Sequence, residues 1–261
     1  MKKSSHVMKI FGVQIHGGKK THVREQLRAF LASNRPHRVA TVNPEMLVAA
    51  RRNPTFRRIL ASFELRVPDG FGLRLVSALY FGHFLPERVT GSDLVEMLCE
   101  LCAHTQHRIL FLGGEEGLAQ RAAAAMQVQY PGLEIRALSA GKIVKRDEQW
   151  HIDVQVVDEI LAFQPAVIAV ALGHEKQELW IHDFLPAFPF LRVGVGVGGT
   201  FAYLSHDIPR APGWMQNIGF EWLWRFLLEP ARWRRIITAV LIFPILAFFD
   251  RLRPISTDEH L

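Results

Sequence analysis

Short, continuously apolar runs alternate along the chain with longer amphipathic stretches. The runs 9–13, 38–42, 65–67, 108–112, 134–138, 166–172 and 191–197 have the pattern of strands. The stretches 22–33, 45–62, 91–105, 117–129, 147–163 and 176–185 have the pattern of helices. Runs such as AVIAVAL at 166–172 lack polar alternation, as expected of a strand covered on both faces. The alternation predicts βαβ units: an α/β fold with a Rossmann-like, mainly parallel sheet flanked by helices. Residues 1–208 form this domain, 209–253 a helical appendage and 254–261 a polar tail.

An open sheet of this kind binds ligands beyond the carboxyl ends of its strands. The second run is followed by Thr41-Val42-Asn43-Pro44-Glu45, the third by Pro68-Asp69-Gly70, and the sixth by Gly173-His174-Glu175-Lys176-Gln177-Glu178. After the seventh come Gly198-Gly199-Thr200, where a phosphate could approach the backbone of a starting helix. Gly194–Gly199 also fits G-x-G-x-x-G, but too late in the chain for a dinucleotide fingerprint, and valines between glycines equally suit a buried strand end. Asp69 has two readings. It is a turn former in Pro-Asp-Gly, or a carboxylate at a strand end able to take a proton from an attacking hydroxyl in an inverting sugar transfer.

The 261 residues are 49% apolar and 21% charged, which excludes disorder, collagen-like repeats and a coiled coil. A net charge of +6 points to an anionic partner: nucleic acid, a phosphorylated ligand or a membrane surface. Arg51, Arg52, Arg57 and Arg58 share a helical stretch without a recognisable reader motif, so they read as a solvated face and nucleic acid drops out. No Asp-x-Asp pair and no histidine cluster suggests a metal, and no cofactor is called for. A departing diphosphate would then need arginines, and Arg88, just before a helix start, is a candidate. Cys99 and Cys102 fall on one helix face among leucines and read as buried thiols. Met1-Lys2-Lys3 is followed by no apolar run, so the expected location is the cytoplasm.

The appendage changes the picture. Residues 210–253 carry seven arginines against three acidic residues, and four of the six tryptophans lie between 214 and 233. They precede IITAVLIFPILAFF at 236–249, fourteen uncharged residues with Pro244 inside. About twenty apolar residues are needed to cross a bilayer, so the run fits an element lying in the cytoplasmic face of a membrane better than one spanning it.

The motifs TVNPEML, VPDGFG, ERVTGSDL, LFLGG, ALGHEKQELWI, GVGGTFAYLS and RAPGWMQNIGFEWLWRFLLEPARWRR together resemble the WecG/TagA/CpsF glycosyltransferases (family 26) over residues 10–235. The resemblance implies a metal-independent, inverting transfer from a UDP-sugar to an undecaprenyl-diphosphate-linked saccharide. It places the reaction at the inner face of the bacterial cytoplasmic membrane, in surface polysaccharide synthesis. It also implies Asp69 as general base, Thr41 and Asn43 beside it, and Arg88 and Gln177 as supporting residues. Arg225, Arg232 and Arg235 would belong to a mobile appendage that closes on the diphosphate, in two helical pieces separated at Pro230. One departure stands out: the family's Gly-x-Pro-x-Gln reads Gly173-His174-Glu175-Lys176-Gln177 here. A non-catalytic UDP-sugar-binding scaffold and, on Gly194–Gly199, an NAD-dependent oxidoreductase stay open as alternatives. The donor sugar, the acceptor and whether the chain forms a homo-oligomer are not specified by the sequence.

Overall fold

The computed structural model of the protein describes residues 6–81, 89–139, 144–146, 149–218 and 220–252. In chain order the elements are β1 (His6–Ile10), β2 (Val13–Gly17), α1 (Lys20–Ala32), β3 (His37–Val42), α2 (Pro44–Arg52), α3 (Pro54–Ala61), β4 (Leu65–Pro68), α4 (Phe71–Phe81), α5 (Gly91–Thr105), β5 (Ile109–Gly113), α6 (Leu118–Gln129) and β6 (Ile135–Leu138). They continue with β7 (Val144–Arg146), β8 (Gln149–His151), α7 (Val154–Phe163), β9 (Val167–Ala171), α8 (Lys176–Phe184), β10 (Val193–Gly196), α9 (Phe201–Leu204), α10 (Gly213–Ile218), α11 (Glu221–Leu228), α12 (Trp233–Ile237) and α13 (Phe243–Leu252).

A six-stranded sheet in the order β4-β3-β10-β9-β5-β6 makes the fold α/β, as the alternation requires. β10 pairs parallel with β9, β9 with β5, and β5 with β6. Every residue of β5, β9 and β10 is buried, which accounts for their unbroken apolar runs. The residues group into two compact units: 1–23, 40–90 and 210–261 in the first, 24–39 and 91–209 in the second.

Three local expectations are corrected, and one helix was not foreseen. The first apolar run is the end of one strand and the start of another, because Phe11 and Gly12 both take positive φ (49° and 80°) and reverse the chain into the antiparallel β1–β2 hairpin. The single helix expected over 45–62 is two: Pro54 has no N–H to continue the first, and Asn53 caps the second by accepting from Phe56 N–H at 3.1 Å. The stretch 147–163 becomes helical only at Val154, where the Asp153 carboxylate caps Gln155 N–H at 3.0 Å; ahead of it, β7 and β8 pair antiparallel. Residues 71–81 form α4, whose apolar sequence lacks the polar face that marks an amphipathic helix.

In the second unit, Cys99 and Cys102 are buried, and desolvation pushes both thiols up, Cys102 to about 12. They are packing residues, as their spacing indicated.

In the first unit, the appendage is partly core. α11 stops at Leu228, ahead of Pro230, and a turn of 3-10 helix leads into α12. Pro244 also lacks an N–H, and the backbone adapts through a π-helical segment at Thr238–Ile242 before α13. Phe243 is fully buried and meets Phe11 edge-on with ring centroids 6.0 Å apart, while the Asp250 carboxylate accepts from Phe11 N–H at 3.1 Å. Phe243→Ala should therefore cost about 3 kcal/mol or more of stability, read as a lower denaturation midpoint. The opposite face stays exposed, with Leu241, Ile245, Phe249 and Leu252 each more than half accessible. Among the described residues no helix is long and apolar enough to cross a membrane.

Candidate functional site

In the first unit, the ends of β3 and β4 bring Thr41, Asn43 and Asp69 into one region. The Asp69 backbone N–H donates to Val42 O at 2.8 Å, fixing the turn after β4 to the residue between Thr41 and Asn43. Thr41 is buried; Asn43 and Asp69 are half-buried. Asn43 Oδ1 accepts from Met46 N–H at 3.0 Å and caps α2, so its position is set by the helix it starts. Gly70 follows Asp69 at φ 94°, a value that a side chain would strain, and a Cβ there would lie 3.3 Å from Pro44 Cδ. Gly72 is more constrained: a Cβ there would run into the carbonyl oxygen of Ala239 in the appendage. The Pro-Asp-Gly turn thus lies close to the start of α2, and the first turn of α4 after it lies close to the π-helical segment.

The appendage reaches the same region with Arg235. Its guanidinium grips Glu45 through both carboxylate oxygens, with Nε at 2.9 Å from each and Nη2 at 2.7 Å from Oε2. Glu45 lies in the first turn of α2, two residues after Asn43, and raises the Arg235 pKa further. Arg225 pairs with Glu229 one helical turn on, and Glu229 also acts electrostatically on Arg235. Arg232 lies in the 3-10 turn between them, its side chain outside the described residues. Arg88 also lies outside the described residues. Sequence reasoning missed Glu45; the signal was an acidic residue in the first helical turn, which reads as ordinary dipole complementation.

In the second unit, Gln177, Gly198 and Gly199 are brought together at the end of β10. Gln177 Oε1 accepts from Gly198 N–H at 2.9 Å. One amide expected to meet a phosphate is therefore engaged by a side chain, and the helix that follows, α9, has only four residues. Thr200 Oγ1 donates to Val197 O at 2.7 Å, and Gly91, at the start of α5, leaves the room its hydroxyl needs. The glycines of G-x-G-x-x-G serve packing: a Cβ at Gly194 would press on Leu185 and Ile181, and one at Gly196 would lie 2.7 Å from Glu178 Oε1.

Glu178, one of the polar residues after the sixth apolar run, is the second residue to which sequence reasoning gave no role. It is completely buried, its Oε1 accepts from Gln177 Nε2 at 2.7 Å, and Oε2 makes no hydrogen bond. Burial pushes this carboxyl up to about 7, against the Gln177 amide and the neighbouring backbone N–H groups of Glu175 and Glu178. Its signal was positional, since Glu178, Ile181 and Leu185 recur at i, i+3 and i+7 on a buried face.

Glu175, where the resembling family has proline, adopts φ 67° and ψ −57°. Proline is confined near −65°, so this turn differs from a proline-bearing one, yet Gln177 still reaches Gly198. The strained backbone suits glycine better than glutamate. Glu175→Gly should raise stability by about 1 kcal/mol, and a lower melting temperature would contradict the strain.

A mainly parallel open sheet with capped, glycine-bearing turns at its carboxyl strand ends defines an α/β protein of the kind that binds ligands beyond those ends. Residues 8–257 match the model of the "Glycosyl transferase WecG/TagA/CpsF family". The chain is 34% identical over 209 residues to an N-acetylglucosaminyldiphosphoundecaprenol N-acetyl-beta-D-mannosaminyltransferase of Bacillus spizizenii strain W23, covering 80% of this chain and 78% of the relative. It is 30% identical over 200 residues to a Bacillus subtilis strain 168 protein of the same name, covering 77% and 75%. The chain belongs to the WecG/TagA/CpsF family of glycosyltransferases.

Proposed function

We propose that the protein transfers N-acetylmannosamine from its UDP-sugar to N-acetylglucosaminyl-diphosphoundecaprenol, with inversion, in bacterial surface polysaccharide synthesis. The observation that carries the reading is the seat of Asp69: a carboxylate at a strand end, locked through its backbone to the residue between Thr41 and Asn43, in a chain of this family. The acceptor and the transferred sugar are those in the names of the two relatives, and the UDP carrier is what the family resemblance implies. A β-linked product from an α-linked UDP-sugar requires a single displacement. Asp69 removes the proton of the acceptor hydroxyl as that oxygen attacks the anomeric carbon, and UDP leaves from the opposite face.

The departing diphosphate needs positive charge. Arg225 and Arg235 supply it in this reading, with Arg232 and Arg88, and no metal is invoked. The first two rest on Glu229 and Glu45, and a diphosphate would draw them from these carboxylates or share them. Gln177 and the Gly198–Gly199 turn hold the donor.

The protein sits on the cytoplasmic face of the membrane as a peripheral, monotopic element. The exposed residues of α12 and α13, together with Trp214 and Trp233, support this placement beside Arg234 and Arg251. Incubation with UDP-N-acetylmannosamine, UDP-glucose and UDP-N-acetylmannosaminuronic acid, each with a lipid-diphosphate N-acetylglucosamine acceptor, tests the whole reading. Transfer from the first donor, unaffected by EDTA, is expected. UDP binding without transfer from any donor would leave a scaffold instead.

A further inference from the structure

We infer that Glu178 is a positioning residue, holding the Gln177 amide so that its oxygen faces the Gly198 N–H. A side-chain amide has one donating and one accepting end of nearly the same shape, so packing alone does not choose between its two orientations. Here both neighbours choose. Glu178 Oε1 accepts from Gln177 Nε2–H at 2.7 Å, and Gln177 Oε1 accepts from Gly198 N–H at 2.9 Å. The chain runs from a fully buried carboxylate, through one amide, to a backbone N–H at the strand end.

Three further observations give this chain its weight. Glu178 shares its helix face with the buried Ile181 and Leu185, where an apolar residue would pack without the cost of desolvating a carboxyl group. Its second oxygen makes no hydrogen bond, and among the described residues Gln177 is the side chain that hydrogen-bonds the first. Room for it comes from Gly196, where a Cβ would lie 2.7 Å from Glu178 Oε1 and 2.8 Å from Gln177 Nε2. A strand glycine, a buried acid and an amide are thus fitted to one another, and their common product is a fixed turn at Gly198, itself at φ 52°. The consequence for catalysis rests on the reading that this turn holds the donor.

The experiment compares wild type, Glu178→Leu and Glu178→Gln in the full chain, by hydrogen exchange over the peptide containing Gly198 and by transfer kinetics. In Glu178→Leu, exchange at Gly198 should quicken about tenfold as its acceptor is released. Transfer kcat/KM should fall about ten- to hundredfold as the donor loses its seat. Glu178→Gln, whose amide oxygen can still accept from Gln177, should restore both. Unchanged Gly198 protection in folded Glu178→Leu, or a Glu178→Gln variant as impaired as the leucine, would overturn the positioning role. Released Gly198 with undiminished transfer would instead overturn the assignment of the turn to the donor site. Should the leucine variant fail to fold, Gly196→Ala displaces the same two polar groups. Faster Gly198 exchange in it supports the role, and unaltered exchange overturns it.

Discussion

Asp69→Asn should leave a folded protein that binds UDP with unchanged affinity and turns over about 10²–10⁴ times more slowly, the usual worth of a positioned general base. Asparagine keeps the shape of the side chain and leaves the Asp69 N–H bond to Val42 O untouched. Gly70, whose positive φ a glycine adopts freely, is equally unaffected, so the turn keeps its form. What is lost is the ability to accept a proton. Calorimetric UDP binding beside a radiolabelled transfer assay separates the two properties. A variant with near-normal turnover removes Asp69 as the base, and one that no longer binds UDP makes it a structural or donor-binding residue instead.

The second large effect concerns the membrane. Replacing Leu241, Ile245 and Phe249 together by serine should reduce binding to anionic vesicles about a hundredfold. These residues recur at i, i+4 and i+8, and each is slightly more than half exposed. Returning that much apolar surface to water costs about 1 kcal/mol per residue, and about 1.4 kcal/mol is a factor of ten in affinity. The variant spares Phe243 and Ala247, which face the core, and the Asp250 bond to Phe11. Deleting the whole appendage would be a poorer experiment, because it uncovers Phe11 and removes the Ala239 carbonyl that covers Gly72. Unaltered cosedimentation with vesicles would contradict a membrane role for this face.

The strands were legible because burial on both faces leaves so plain a trace: 38–42, 108–112 and 166–172 correspond closely to β3, β5 and β9. Turn chemistry was harder to see. The Phe11-Gly12 reversal hides inside one apolar run, since phenylalanine at positive φ is not a turn signal. Asn53-Pro54 was a visible break that an unbroken apolar period overrode. Of the site, the strand-end polar residues could be read from topology alone, whereas their partners could not. Glu45 and Glu178 are ordinary helix-start acids in the sequence, and only the fold puts one against Arg235 and buries the other beside Gln177. The appendage was read as a membrane element throughout; Phe243 shows that one of its faces belongs to the protein's own core.

The central claim is a single inverting displacement onto a lipid-diphosphate saccharide. Its most direct test is the anomeric configuration of the product made from UDP-N-acetylmannosamine and an N-acetylglucosaminyl-diphosphate lipid, determined by NMR. The account predicts a β-linked disaccharide lipid and one UDP per transfer. An α-linked product, or UDP release without any disaccharide lipid, would contradict it.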